Sequence, residues 1–242
     1  MSRRIVVAAL ILLLGLAPFS RAQEGDYEQR RQRMVQVIRE MEPRTPEAVG
    51  SFQEKVLEAM AEVPRHVFVP RRVRDRAYAN RPLPIGRGQT ISQPYIVALM
   101  TDLLRVDPGD KVFELGTGSG YQAAVLSRLV NEVHSMEIIP ELAERAESNL
   151  ARAGCDNVRV YQGDAYYGLK EEAPFDAIVV TAAAGHIPPP LVKQLKAGGR
   201  MVLPVGSPFL TQQLTLVRKN SDGSIATEHL LPVSFVPLTG GH

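Results

Sequence analysis

One glycine-rich stretch, residues 111–127, constrains the fold of this chain more than any other feature. It begins as an apolar run typical of a buried strand, turns through Gly116, Gly118 and Gly120, and continues as an apolar segment typical of a helix. Glycines between a strand and a helix let backbone N–H groups approach a ligand without interference from a Cβ atom. Doubly wound α/β domains hold nucleotide-like cofactors in this way. The G-x-G-x-G spacing differs from the G-x-G-x-x-G of dinucleotide-binding proteins, so a merely tight turn remains the alternative interpretation.

The residues that follow continue the alternation of strand and helix. Predicted strands cover 111–115, 132–138, 158–162, 175–181 and 200–205, and predicted helices cover 121–129, 140–153 and 190–196. The apolar segment 175–181 is typical of a strand buried on both faces of a parallel sheet. Two more strands, 213–218 and 230–236, flank a turn and predict a hairpin. The predicted fold class is therefore α/β, a doubly wound and mostly parallel sheet with helices on both faces and a C-terminal antiparallel hairpin.

The part of the chain before this alternation predicts a helical extension over residues 23–84. Apolar residues recur at helical spacing within the charged segment 23–44, which predicts an amphipathic helix packed on the domain. These residues are Met34, Val35, Val37, Ile38 and Met41. A second helix is predicted over 46–62, and Pro64 is its stop signal.

A proline- and arginine-rich segment follows at 64–84. Its arginines are Arg65, Arg71, Arg72, Arg74 and Arg76. Such a run could attract an acidic polymer, but Asp75 interrupts it and it lacks the interleaved aromatic pattern of nucleic-acid-binding segments. A solvated loop is therefore the preferred interpretation, and no nucleic-acid partner is expected.

Residues 85–104 predict a polar turn followed by a helix. The glycines of 86–88 allow the turn, and Pro94 suits the first position of a helix. Ser92 or Gln93 would cap that helix with its side chain. Alternatively, the polar turn covers the cofactor pocket. The spacing leaves both roles of Ser92 open.

Residues 1–22 have the pattern of a secretory signal. Two arginines precede an apolar run at 5–16, and small residues precede the bond between Ala22 and Gln23. The run is too short to span a bilayer comfortably, so an uncleaved anchor is the weaker alternative, and a misassigned start codon is a third. Removing residues 1–22 would take away three arginines and no acidic residue, changing the formal charge from +2 to −1. That balance does not call for an anionic membrane or nucleic acid as a partner.

Two carboxylates follow predicted strands where a nucleoside cofactor would need them. Glu137 comes 21 residues after Gly116, and in doubly wound domains a carboxylate at about 20 residues accepts hydrogen bonds from ribose hydroxyls. Asp164 follows the strand 158–162, at the edge where open sheets place ligand contacts. It could accept a hydrogen bond from the amino group of a purine, or merely cap the next turn. Together with the glycine turn, these residues favour adenine recognition.

Other kinds of chemistry have no support in the sequence. It contains neither a G-x-x-x-x-G-K-[ST] motif nor a G-x-S-x-G elbow, which disfavours nucleotide triphosphate hydrolysis and acyl transfer by Ser92. The histidines and the lone Cys155 show no metal-ligand spacing, so no metal is expected. A single cysteine also allows no internal disulfide.

These residues and the blocks around them closely resemble the protein-L-isoaspartate O-methyltransferase family, class I enzymes that depend on S-adenosyl-L-methionine. The resemblance covers about residues 34–239. Its most specific blocks are PRHVFVP at 64–70, PIGRGQTISQPYIV at 84–97, ELGTGSGYQAA at 114–124, APFDAIVVT at 173–181, QLKAGGRMVLPVG at 194–206 and FVPLT at 235–239. Several long blocks in the same order are more specific than any single glycine motif.

The resemblance implies S-adenosyl-L-methionine as the cofactor and a set of residues that bind it. The implied residues are Gln89, Thr90, Ile91, Ser92, Glu114, Gly116, Thr117, Gly118, Gly120, Glu137, Asp164, Ala165 and Thr239. Glu137 would contact the ribose and Asp164 the adenine. The family usually has glycine where this chain has Ala165, and a methyl group there could crowd the adenine or alter the backbone geometry.

The resemblance also implies an activity on damaged proteins. It implies methyl transfer to the free carboxylate of L-isoaspartyl and D-aspartyl residues, which begins repair through a succinimide. Ser92 would be the catalytic residue, and Ser92, Val233, Phe235 and Val236 would lie along the substrate peptide. Two alternatives remain: another class I methyltransferase acting on a small molecule or RNA, and a non-catalytic cofactor-binding or chaperone-like protein.

The expected organisation is a signal-like segment, 1–22, followed by a single methyltransferase domain, 23–242. We expect a monomer with no stable membrane span in the mature chain. The family expectation for localisation is the cytoplasm, whereas residues 1–22 suggest export to the periplasm. The sequence leaves that conflict open.

Overall fold

The structure, a computed structural model, describes residues 17–47, 49–207 and 210–241. Its helices are α1 (Ala17–Glu40), α2 (Glu54–Glu62), α3 (Pro94–Leu104), α4 (Tyr121–Leu126), α5 (Pro140–Arg152) and α6 (Pro189–Gln194). Its strands are β1 (Leu83–Gly86), β2 (Gln89–Ile91), β3 (Lys111–Leu115), β4 (Glu132–Glu137), β5 (Val158–Gln162), β6 (Phe175–Val180), β7 (Leu195–Val205), β8 (Gln212–Lys219) and β9 (Ile225–Val233). Residues 1–16 of the predicted signal segment lie outside the described residues.

Seven strands form one sheet in the order β5-β4-β3-β6-β7-β8-β9. The first five are parallel to one another, and β8 pairs antiparallel with both of its neighbours. Because the chain returns from the edge strand β5 to place β6 beside β3, the strand order reverses between β3 and β6. Ligands of open α/β sheets bind at such a reversal, at the carboxyl ends of the strands. The predicted fold class is confirmed.

The two faces of the sheet bury alternate residues of its strands. Val112, Val179 and Val202 face a core that also receives apolar side chains from α1 to α5. Phe113 and Ile178 face a second core, closed by α6 and the chain around residue 169. Burial of one such side chain contributes about 1.5–3 kcal/mol relative to exposure. Helices therefore cover both faces, as the apolar central strands predict.

The N-terminal helices differ in detail from the prediction. Met34 and Ile38 on α1 are buried, but Val37 is 39% exposed because it lies at the edge of the buried stripe, so its inclusion in the apolar stripe was wrong. The second helix begins at Glu54, because Gly50 adopts a left-handed φ of +65° and interrupts the segment predicted to be helical from residue 46. Among the described residues, no helix has the length and apolar character needed to cross a bilayer.

The arginine-rich segment 64–84 is only partly a solvated loop. It folds into two 3₁₀ turns, Arg65–Phe68 and Arg71–Arg76, whose apolar side chains enter the core. Arg65 itself is fully buried, with 0% of its surface exposed. The prediction of a solvated loop is wrong for this residue, because the fold encloses its guanidinium among backbone carbonyl groups.

Three further boundaries differ from the prediction. The short hairpin of β1 and β2 was not predicted. Strand β7 begins at Leu195 instead of residue 200. Within this strand, Gly199 passes so close to β6 that a Cβ on it would lie 2.7 Å from the Asp176 carbonyl oxygen. Strand β9 covers Ile225–Val233 instead of 230–236, so residues 234–236 are free to turn across the end of the sheet. Gln93 is the N-cap of α3, but neither of the two predicted caps makes a side-chain capping bond.

Candidate active site

The carboxyl ends of β3 and β6 meet at the point where the strand order reverses. Strand β3 runs into the glycine loop, residues 116–120, and β6 ends just before Thr181. The Thr181 hydroxyl lies 2.6 Å from the Gly116 carbonyl oxygen and 3.0 Å from that of Leu115, and it donates to both. These bonds hold the two strand ends together at the base of a crevice.

The glycine loop has a backbone conformation that other residues rarely adopt. The φ angles of Gly116, Gly118 and Gly120 are +93°, +56° and +90°. A Cβ on Gly116 would lie 2.6 Å from Thr181 Oγ1. A Cβ on Gly120 would instead lie 3.1 Å from Leu150 Cγ, so this glycine allows the loop to pack on α5.

Glu137 at the end of β4 is tied to the glycine loop. Its Oε2 accepts a hydrogen bond from the Gly118 N–H at 2.8 Å, and its Oε1 accepts one from the Ile139 N–H at 3.0 Å. The side chain is buried, yet a carboxylate has about four acceptor positions, so it keeps capacity for ligand hydroxyls. The position predicted to bind ribose therefore also shapes the loop.

Glu114 lies behind the glycine loop without any exposed surface. Its Oε2 accepts a hydrogen bond of 2.5 Å from the Ser135 hydroxyl, and Ser135 Oγ is 2.6 Å from Thr117 Oγ1. Its Oε1 has no hydrogen-bond partner among the described residues. Burial, with a smaller contribution from the charge of Glu137, raises the pKa of Glu114 to about 8. An enclosed carboxyl with an unused oxygen is suited to meet a cationic group of a ligand.

Asp164 precedes the 3₁₀ turn Ala165–Tyr167. Its Oδ1 accepts from the Tyr166 N–H and its Oδ2 from the Gly241 N–H, each at 3.0 Å. The second bond links the turn to the last described residue of the chain. Ala165 is buried beside it and does not adopt a positive φ, so this backbone does not need the glycine that is usual in the family.

A cleft of about 530 Å³, including the solvent at its mouth, lies over the carboxyl ends of β3, β4 and β6. The predicted cofactor-binding residues that line it are Gln89, Thr90, Gly116, Gly118, Glu137, Ala165 and Thr239. Those that line an adjoining space behind the glycine loop are Ile91, Ser92, Glu114 and Thr117. Asp164 lies between two lining residues, and Gly120 lies outside both spaces.

A second groove, of about 760 Å³ with its solvent, adjoins this cleft and contains the predicted acceptor residues. Ser92, Val233, Phe235 and Val236 all line it, as do Thr90 and Thr181 from the base of the cleft. The Ser92 hydroxyl makes no hydrogen bond within the described part of the chain. The fold therefore brings together residues about 140 positions apart in the sequence, with an uncommitted hydroxyl beside the cofactor cleft.

Arg65 holds the backbone of Ser92 in place. Its Nη2 donates to the Ser92 carbonyl oxygen at 2.6 Å, and its Nε donates to the Ala77 carbonyl oxygen at 2.8 Å. The guanidinium lies 4.6 Å from the centre of the Tyr121 ring. Burial lowers the pKa of Arg65 to about 10, so the group remains charged at neutral pH. The position of Ser92 thus depends on a buried cation 27 residues earlier in the chain.

Sequence reasoning missed two residues of this site. The polar end of an otherwise apolar strand was a signal for Thr181, since strand ends carry ligand contacts in this fold. Arg65 had no such signal, because one arginine among several cannot be identified as the buried one from spacing alone.

The family model for protein-L-isoaspartate(D-aspartate) O-methyltransferase (PCMT) matches residues 45–242. The chain belongs to this family. A relative from Syntrophobacter fumaroxidans, protein-L-isoaspartate O-methyltransferase 2, is 58% identical over the full length of both chains. A relative of the same name from Polaromonas sp. is 61% identical over 82% of this chain and 94% of its own.

A solved structure supports the same assignment. It is described as a beta-aspartate methyltransferase from Plasmodium falciparum in complex with S-adenosyl-L-homocysteine. It has a TM-score of 0.70 and 26% identity, over 85% of this chain and 98% of its own. The region matched to the protein-L-isoaspartate O-methyltransferase family includes every cofactor and acceptor residue predicted from the sequence, and Arg65 as well.

Proposed function

We propose that this protein transfers a methyl group from S-adenosyl-L-methionine to the free carboxylate of L-isoaspartyl and D-aspartyl residues in damaged proteins. The ester would then collapse to a succinimide away from the enzyme, and hydrolysis would restore some normal aspartate. Membership of the protein-L-isoaspartate O-methyltransferase family supports this reaction. The observation that carries the proposal is that the cofactor cleft and the acceptor groove share Thr90, Thr181 and Val236, with Ser92 beside them.

The residues of the cleft fit S-adenosyl-L-methionine. The positive φ angles of the glycine loop allow its backbone to approach the methionine part of the cofactor. Glu114 Oε1, which has no partner among the described residues, suits the ammonium group of that methionine part. Glu137 has acceptor capacity for the ribose, and Asp164 lies where adenine recognition is expected. S-adenosyl-L-homocysteine, the product that remains when the cofactor has lost its methyl group, is bound in the related Plasmodium structure and supports the same choice. When bound, the cofactor supplies a methyl group activated by its sulfonium.

Methyl transfer also requires that the protein orient the acceptor carboxylate. A carboxylic acid with a pKa near 4 is already ionised at neutral pH, so no general base is required. We infer that the Ser92 hydroxyl donates a hydrogen bond to one acceptor oxygen and leaves the other facing the cofactor cleft. Such positioning can lower a barrier by roughly 7–11 kcal/mol. Ser92 would therefore act as an orienting group and not as a nucleophile.

The acceptor groove suits an extended peptide. Val233, Phe235 and Val236 line it beside the end of β9, where the chain leaves the sheet. The Phe235 N–H donates to Gln212 Oε1 at 2.8 Å, and the Val236 carbonyl oxygen accepts from the Ala183 N–H at 2.8 Å. These bonds fix the segment that would run along the substrate.

A pair of matched peptides tests the proposal. One carries isoaspartate and its twin carries aspartate, and transfer of labelled methyl groups from S-adenosyl-L-methionine is measured for each. Transfer to the isoaspartyl peptide alone is the expected result. Transfer to RNA or a small molecule in place of the peptide would support another class I methyltransferase activity. Cofactor binding without transfer to any acceptor would support the non-catalytic alternative.

The organisation of the full chain is a separate proposal. We infer that residues 23–242 form one methyltransferase domain that acts as a monomer, with the N-terminal helices as part of it. Residues 1–22 are proposed as a signal segment for export. Mass spectrometry of the mature protein tests this, because export predicts a chain that begins at Gln23 and retention in the cytoplasm predicts one that begins near Met1. Size-exclusion chromatography with light scattering tests the monomer.

A further inference from the structure

An arginine-lined cleft of about 1,010 Å³, including its solvent, lies beside the glycine loop and the β1–β2 hairpin. The arginines that line it are Arg71, Arg72, Arg74, Arg87, Arg145 and Arg152. No aspartate or glutamate is among the described residues that line it. Because these arginines come from three distant segments of the sequence, the fold itself gathers them at this place.

Helix α5 separates its charges in a way that favours this cleft. Leu142, Arg145, Asn149 and Arg152 recur at helical spacing and all line it. The glutamates of the helix lie outside the lining, and one of them, Glu141, pairs with Arg87 at 2.5 Å. No other arginine of the cleft forms an ion pair within residues 17–47, 49–207 and 210–241.

Two of these arginines are held in place by hydrogen bonds. Arg145 Nη1 donates to the Ile85 carbonyl oxygen at 2.6 Å. Arg152 donates to the side-chain oxygen of Asn149, whose amide group donates to the Ser119 carbonyl oxygen at 2.9 Å. Arg74 Nε is buried and has no hydrogen-bond partner in the described part of the chain. The cleft therefore has positive groups that hydrogen bonds hold in place.

The clustering of like charges points to an anionic partner. Charges of one sign that line a cleft concentrate the electrostatic potential and attract ligands of the opposite sign. Arginine is suited to this role because its planar guanidinium binds carboxylates through two parallel hydrogen bonds.

The walls of the cleft favour a peptide over inorganic phosphate. Two partly exposed apolar residues, Val67 and Pro70, form part of the lining beside the arginines. An inorganic phosphate has no apolar part to place against them. A peptide with acidic and apolar side chains would match both the charged and the apolar surface.

We infer that this cleft binds an acidic segment of the polypeptide whose isoaspartyl residue occupies the acceptor groove. The inference rests on the proposed function for the identity of that polypeptide. Ile85 and Gly86 of β1 line the arginine cleft, whereas Thr90 of β2 lines the acceptor groove, so one two-stranded hairpin separates the two sites. Paired strands lie about 4.8 Å apart, and an extended chain advances about 3.3 Å per residue, so a few residues suffice to pass the hairpin.

Direct binding tests the inference without methyl transfer. A fluorescein-labelled peptide in which glutamate alternates with leucine is titrated with the protein, and binding is followed by fluorescence anisotropy. A twin with glutamine in place of glutamate is the peptide control. The double variant Arg71→Gln/Arg72→Gln removes two exposed arginines of the cleft, and Arg33→Gln/Arg44→Gln removes two exposed arginines elsewhere.

We expect the glutamate peptide to bind and the glutamine peptide not to bind. The Arg71/Arg72 variant should bind about tenfold more weakly, since it loses two charge-assisted contacts, whereas the Arg33/Arg44 variant should bind like the wild type. Binding should also weaken as salt is raised. Equal losses in both variants would mean a general charge effect and would overturn the inference. Binding of tripolyphosphate without binding of the peptide would assign the cleft to phosphorylated ligands and would overturn it as well.

Methylation kinetics link the cleft to the substrate. An isoaspartyl peptide extended by the glutamate segment should have a KM about tenfold lower than one extended by the glutamine segment, and the Arg71/Arg72 variant should lose that advantage. If both isoaspartyl peptides are methylated with the same KM, the inference fails and the proposed function stands. If neither is methylated but the glutamate peptide still binds, the proposed function fails and the cleft remains an acidic-peptide site.

Discussion

The two sides of the active site are built in different ways. Most of the cofactor side comes from one part of the chain, in which β3 runs into the glycine loop, β4 ends at Glu137 and β5 is followed closely by Asp164. The acceptor side joins Ser92 to residues 233–236 and depends on Arg65, so it exists only after distant segments have packed. This contrast predicts that a substitution can impair cofactor binding without impairing acceptor orientation, and the reverse. Substitutions on either side test that separation.

Gly118→Val should have the largest effect, and it should act on the cofactor side. A β-branched residue is strained at the φ of +56°, and its side chain would approach Ile85 Cδ1, which lies 3.4 Å from the position of a Cβ. We expect the affinity for S-adenosyl-L-homocysteine to fall at least about a hundredfold, measured by isothermal titration calorimetry. Gly109→Val, in an exposed turn with no atoms within 4 Å of a Cβ, is the control. Normal binding by the Gly118 variant would remove the loop from the cofactor site.

Ser92→Ala should act on the acceptor side alone. The loss of a hydrogen bond to a charged acceptor, of about 1.5–3 kcal/mol, should lower kcat by about ten- to a hundredfold. The dissociation constant for S-adenosyl-L-homocysteine should change by less than about twofold, because Ser92 does not line the cofactor cleft itself. Ser148→Ala, on the exposed face of α5, serves as the control. Parallel losses of rate and cofactor affinity would show that Ser92 does not separate the two sides.

Arg65→Met tests whether the acceptor side depends on a buried cation. The variant leaves the carbonyl oxygens of Ala77 and Ser92 without their donor, so we expect a loss of stability of about 3 kcal/mol. The folded fraction should show kcat reduced about tenfold and near-normal cofactor affinity, because only the position of Ser92 changes.

Arg65→Lys is the conservative variant to compare with Arg65→Met. An ammonium group can restore one of the two bonds, so partial recovery of kcat is expected. Urea unfolding measures the stability of both variants, and single-turnover kinetics measure their rates. Reduced stability with an unchanged rate would restrict Arg65 to a structural role.

Glu114→Gln should have its smallest effect on stability at about pH 4.5 and a growing effect across a pH series. The pKa of Glu114 is about 8 in the folded protein and near 4.5 as an unperturbed group, so the ligand-free fold retains its proton while the unfolded chain loses it. Stability of the wild type relative to the glutamine variant should therefore fall as the pH rises from about 4.5 to about 8, by a few kcal/mol in total. Urea unfolding of both proteins checks this difference. A constant difference would contradict the assignment.

Local patterns were sufficient to predict most of the central fold. The range of β3 agrees with the structure because an apolar run and the glycines define both of its ends. The prediction started β9 too late and missed the hairpin of β1 and β2. Neither segment alternates regularly between apolar and polar residues, so the local signals for these strands are weak.

The acceptor side could not be derived from local patterns. Ser92 lies in a predicted polar turn, but its position depends on a hydrogen bond from Arg65 to its carbonyl oxygen. Thr181 donates hydrogen bonds to the carbonyl oxygens of Leu115 and Gly116, which lie more than 60 residues away in the sequence. Such contacts depend on tertiary packing, which short-range periodicity does not encode. Resemblance to a family supplied the proposed role of Ser92, which spacing left open.

The two bonds of Glu137 to the backbone have a consequence for how tightly a ligand can be held. Since Gly118 and Ile139 already fix both carboxylate oxygens, the orientation of this side chain is set when the protein folds. An incoming sugar would meet acceptors that need no further immobilisation, so little conformational entropy is lost at that contact during association. The carboxylate proposed to bind the ribose would thus also keep the binding surface rigid before the ligand arrives.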